Sequence, residues 1–114
     1  MTRHVGHDDG LPTVVLPGGW SWARPWERYG DSWETAAHAV HGRAVATMAF
    51  HVEPGRFAVE RPTVWVRDFA GDDAMGYAEA VDLSGRLLLA CEALRKADRW
   101  LAAQATALGW EVKG

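Results

Sequence analysis

Isoleucine and asparagine do not occur in this chain of 114 residues, and cysteine occurs once, at Cys91. A single cysteine excludes an intrachain disulfide, a thiolate-based zinc site and a CxxC redox pair. Within "LLLACEAL" the thiol is expected to be buried as a small hydrophobe. Serine is nearly as scarce: Ser21, Ser32 and Ser84 are the complete set, and none stands in a G-x-S-x-G elbow. No P-loop is present, and no G-x-G-x-x-G follows a strand, so no cofactor is expected. The carboxylate pairs Asp8–Asp9 and Asp72–Asp73 fall in a polar tail and at a helix start, where solvation and capping account for them. Nothing here composes a catalytic centre, and the chain reads as non-enzymatic.

Lysine is also short, at two against ten arginines, and the formal net charge is -3. Cationic and acidic residues are interspersed without a basic stripe, which argues against a nucleic-acid surface. No apolar run approaches the ~20 residues that a membrane span needs. The opening "MTRHVGHDDG" lacks the apolar stretch of a signal peptide, so a cytoplasmic protein is expected. The arginine bias, with isoleucine and asparagine absent, points to a GC-rich coding genome.

What the chain does have is 48% hydrophobic and 24% charged residues, the balance of a single domain with one modest core. Residues 1–10 read as a flexible tail. Residues 11–42 form a Trp-rich lead-in segment that starts with "LPTVVLP", a short edge strand bounded by prolines. Its stretch 17–33, "PGGWSWARPWERYGDSW", holds four of the seven tryptophans. "DSWETAAHAVHG" follows, with Asp31 or Ser32 as N-cap and Trp33, Ala36, Ala37 and Val40 at helical spacing. It predicts a short helix ending at Gly42, with a strand as the rival.

From Arg43 the period becomes two. Ala44, Ala46, Met48, Phe50 and Val52 point one way; Val45, Thr47, Ala49, His51 and Glu53 point the other. "EPGR" is a turn, "RFAVE" a second strand, and "TVWVRDF" a third that sets Trp65, Arg67 and Phe69 on one face. Residues 43–70 are therefore expected to be a β-meander. Asp72 or Asp73 then caps a long helix over 73–108, stopped by Gly109. Ala80, Leu83, Leu87, Ala90, Leu94, Ala97, Leu101, Gln104 and Leu108 run down it at alternating spacings of three and four. Gly85 is a place where it can bend or restart, with Ser84 as cap. The fold class predicted is α+β: a small antiparallel meander of three or four strands packed on one long C-terminal helix.

Such a helix is about 50 Å long at ~1.5 Å per residue, whereas a six-residue strand spans about 20 Å. Roughly half of the apolar stripe is left over, and a homodimer through Leu87, Leu94, Leu101 and Leu108 is expected to cover it. The tryptophans admit two readings. They wall the core against the second sheet face of Val45, Trp65 and Phe69, or Trp20, Trp22, Arg24 and Trp26 stand exposed as anchors for an unidentified protein partner. Tryptophan and arginine dominate interface energetics. His38 and His41, three apart, share a face only if they lie on a helix; with His51 they would then offer a metal site, but no metal is expected.

"PTVWV" (62–66), "MGYAEAVDLSGRLLLA" (75–90) and the His38/His41 pair resemble a group of small actinobacterial, plasmid and actinophage proteins. Those have a Trp/His lead-in, a β-hairpin and a long Ala/Leu C-terminal helix. The resemblance implies this fold and a phage or mobile-element source, and carries no activity. Members often have a Cys-Pro-x-Trp-Cys lead-in suited to zinc, where this chain has "ARPWERY" without cysteine. The function expected is a non-catalytic intracellular protein-interaction module that acts on a host protein and self-associates through its C-terminal helix. A His-based metal protein and a nucleic-acid-binding regulator are the alternatives.

Overall fold

The segment 32–53 sets the frame of the molecule. Two ten-residue strands, β5 (Ser32–His41) and β6 (Ala44–Glu53), form one long antiparallel hairpin that turns at Gly42. Gly42 has φ 59°, a left-handed conformation that glycine adopts without penalty. The computed structural model describes residues 3–4, 11–67 and 74–114. The tail over 1–10 apart from those two residues, Phe69 and the Asp72/Asp73 cap lie outside that set. Around the hairpin run β1 (Arg3–His4), β2 (Val14–Val15), β3 (Ser21–Trp22), β4 (Glu27–Tyr29), β7 (Arg56–Glu60), β8 (Thr63–Val66), helix α1 (Tyr77–Leu108) and β9 (Glu111–Lys113). The fold is α+β, as the periodicities predict.

Four expectations need correction. The sheet among the described residues has seven strands rather than three or four. Its path is β3-β5-β6-β7-β9, with β4 also on β5 and β8 also on β6. It is mixed, because β9 returns from the helix to pair parallel with β7. Each row beside the central hairpin is one stretch of chain broken in two: β3 and β4 on one side, β7 and β8 on the other, the latter parted at Arg61 and Pro62. Residues 32–41 are strand and not helix, so the division at 42/43 falls inside the central hairpin. The alanines of "TAAHAV" fit either period, and pairing along the whole of β6 decides for the strand. Finally, α1 runs unbroken through Gly85. Ser84 Oγ donates to the Ala80 carbonyl one turn back, so it is an interior residue and not a cap. Gly76 occupies the N-cap position.

Alternation then sorts the sheet into two faces. Thr35, Ala37 and Ala39 of β5 and Ala46, Met48 and Phe50 of β6 are buried beneath α1, which returns Ala90, Ala97 and Leu101. At 32 residues the helix is ~48 Å long, close to the 51 Å long axis of the molecule. Gly109 ends it with φ 73°, its N–H donating to the Ala105 carbonyl. Arg56 clamps β9 in place with two hydrogen bonds of 2.6 Å to the Glu111 carboxylate.

Candidate functional site

The Trp-rich segment goes to the wall of the core. Trp20 is 3% exposed and its indole N–H donates to the Ala93 carbonyl of α1 at 3.2 Å. Trp22, level with Ala37 in the sheet, lies 5.2 Å from the Phe50 ring. Phe50 continues to Trp100 at 6.4 Å, Trp100 to Trp110 at 5.6 Å, and Trp110 to Phe57 at 4.7 Å. This aromatic chain crosses from one sheet edge to the other under the helix. Trp26 is half-buried against the same core. Arg24 makes an ion pair with Glu27 at 3.4 Å, and its carbonyl accepts the hydroxyl of buried Thr35 at 2.7 Å. Trp20, Trp22, Arg24 and Trp26 are thus brought together, but chiefly as packing. The tryptophans pack on the helix-side face and not, as the sequence suggests, against Val45 and Trp65.

The histidines separate. On a strand, a spacing of three sends His38 and His41 to opposite faces. His38 sits across from Thr47 on the open face, while His41 borders a cleft of about 380 Å³ with Gly18, Leu89, Ala93 and Lys96 of the helix side. His51 is held on the open face between two carboxylates, Nδ1 3.2 Å from Glu34 and Nε2 3.7 Å from Glu60. The geometry needed for a shared metal fails, and the described residues hold no other group suited to a metal ion.

The open face itself is shallow. Ala36 and Ala49, paired across β5 and β6, leave a groove of about 630 Å³ bounded by Thr47, Thr63, Glu60 and Arg61. At the other end of this face Val40, Val45 and Trp65 form one cross-strand row. Val45 is buried, and its two neighbours stand exposed.

The helix carries a second apolar side, outside the stripe of three-and-four spacing. At 3.6 residues per turn, Ala80, Leu83, Leu87, Ala90, Leu94, Ala97 and Leu101 face the sheet, so this stripe is internal. Leu101 is 2% exposed and Leu94 packs on the core, leaving neither free for a second copy. Leu87 is half-buried, and only Leu108 of that predicted interface is exposed. The opposite side of the first half is apolar too: Tyr77, Val81, Leu88 and Leu89 are all exposed, Leu88 at 70%. A notch of about 340 Å³ lies among them over Gly85, walled by Val81, Leu89, Asp82 and Arg86. Past Leu89 this outer side turns polar, with Glu92, Lys96 and Arg99 exposed. Three consecutive leucines at 87–89 are the sequence signal, since a helix cannot bury all three against one sheet. Cys91 is exposed on this helix and not buried, because it lies outside the sheet-facing stripe. No protein-family model, curated protein or solved structure matches the chain, so the residues of this site stand on their geometry alone.

Proposed function

We propose that the protein is a non-catalytic interaction module that self-associates through the first half of α1. One observation carries the reading: over residues 77–89 the helix is apolar on both sides. Leu83 and Leu87 face inward, and Val81, Leu88 and Leu89 face out. A helix with apolar side chains on two sides calls for cover on both, and this protein's own sheet covers one side only. Contiguous exposed apolar surface of this kind marks interaction sites. The partner surface moves accordingly, from the tryptophans to the outer side of α1. An intracellular setting, and a host protein as a further partner, belong to the same proposal and rest on the sequence alone.

Light scattering over a range of concentrations tests it, with wild type beside Leu88→Glu. The wild type is expected to shift toward twice the chain mass as concentration rises. The variant is expected to remain at the single-chain mass with unchanged helical circular dichroism. Wild-type protein that stays a monomer at the highest concentration overturns the reading.

A further inference from the structure

We infer that the outer edge of β8 docks an extended segment of a partner protein, one with carboxylate side chains at both ends. The inference goes beyond self-association through α1 and stands or falls without it. The row outside β7 and β8 is filled beside β7 only. There β9 runs as far as Lys113, whose carbonyl accepts the Arg61 N–H at 2.9 Å. Among the described residues nothing pairs with the outer side of β8. The ladder shows which backbone groups are left over. In an antiparallel pair, successive residues turn their N–H and C=O alternately to one neighbour and to the other. The Arg67 N–H donates to the Arg43 carbonyl at 2.7 Å, so Thr63, Trp65 and Arg67 face β6. Val64 and Val66 therefore present their N–H and C=O outward, the template that an added strand uses. Such an edge is ordinarily blunted by charge or proline, and "TVWV" carries neither. Val64 also packs against the core, which holds the edge in place before a partner arrives.

Charge selects the occupant. Along this edge the open face carries Arg61, Thr63, Trp65 and Arg67, a cation at each end and an exposed indole between them. Arg61 and Lys113 border the groove over Ala36 and Ala49. Glu60 borders it too, but lies 3.7 Å from His51 Nε2. Arg67 gives one N–H to the Gly42 carbonyl at 2.9 Å and has others on its planar fork. A second copy of β8 suits this row badly. It would pair antiparallel about a twofold axis. Pairing Val64 with Val64 of that copy sets Arg61 opposite Arg67 at both ends, and pairing it with Val66 leaves the two as diagonal neighbours. Carboxylates at those places turn the same charges into attraction. An aliphatic side chain between them lies across from Trp65, and the cross-strand pair adds to the backbone bonds.

Amide hydrogen exchange of the full-length, isotope-labelled protein tests the site, with the capped peptide Glu-Thr-Val-Thr-Val-Thr-Glu as probe. The Val64 and Val66 amides are expected to exchange more slowly when this peptide is added. The same peptide with Lys in place of both Glu is expected to bind at least about tenfold more weakly. Val66→Pro removes an outward N–H and leaves the ladder to β6 intact, so it is expected to abolish binding with sheet circular dichroism unchanged. Arg61→Glu provides a second check that needs no change within the strand. It keeps the backbone bond to the Lys113 carbonyl, and its preference is expected to shift toward the lysine peptide. Equal binding of the two peptides to the wild type, or unchanged exchange at Val64 and Val66 at millimolar peptide, overturns the inference. Slowing of those amides with rising protein concentration alone, in Leu88→Glu as in wild type, would assign the edge to a second copy and overturn it as well.

Discussion

The two halves of α1 share one Ala/Leu stripe and meet different fates. The second half is conventionally amphipathic: Ala90, Ala97 and Leu101 are buried against Met48 and Phe50, and Glu92, Lys96 and Arg99 face outward. The first half repeats the inward stripe and then adds a second apolar side. Burial follows from this difference, since the first fully buried residue of the helix is Ala90, thirteen residues beyond its start. Hydrophobicity alone does not bury a residue; a facing surface does. Leu88 and Leu101 are the same side chain on one helix, exposed and buried in turn.

The comparison can be broken by mutation. Leu101→Ala should cost about 2–5 kcal/mol, the range for truncating a leucine in a packed core, whereas Leu88→Ala in dilute solution should stay within about 0.5 kcal/mol. Urea denaturation of both variants measures the contrast, and equal losses would abolish it. Next in size is Trp20→Phe, which keeps a ring beneath the helix but removes the donor to the Ala93 carbonyl. A loss of about 1–3 kcal/mol is expected by the same method. Gly85→Ala sharpens the contrast in the opposite direction. It should stabilise the dilute monomer by about 0.5–1 kcal/mol through helix propensity, since the new methyl meets nothing within the chain. A melting temperature that falls at low concentration would contradict the open notch.

The smallest effect concerns pH at β9, far from both halves of the comparison. The hydrogen bonds from Arg56, chiefly, hold the Glu111 carboxyl below its ordinary range. A carboxyl whose folded pKa lies below its unfolded value stabilises the fold above the unfolded value, and that contribution fades as pH falls through the folded one. Both groups are exposed, so screening keeps the effect small. Melting curves at neutral and acid pH should show wild type losing slightly more than Glu111→Gln on acidification. A larger loss in the variant would remove Arg56 as the cause.

Legibility followed the same division. The alternation over 44–53, the turn at Pro54 and Gly55 and the helix stop at Gly109 are local patterns, and each stands where the sequence puts it. Residues 32–41 were ambiguous because alanine-rich chain suits either period and only β6 as a neighbour resolves it. The tryptophans were ambiguous for a related reason. A ring of such area can serve a core or an interface, and the choice depends on what stands opposite. Phe50 and the Ala93 carbonyl stand there.

By itself the sequence determined the α+β class, the long helix and the three-and-four spacing of its apolar stripe, because backbone periodicity and the chemistry of glycine and proline act within a few residues. Only the tertiary structure decided how many strands the sheet holds, that β9 closes it in parallel, and which side of α1 is left uncovered. Those depend on contacts between residues far apart in the chain, whose partners no local pattern names.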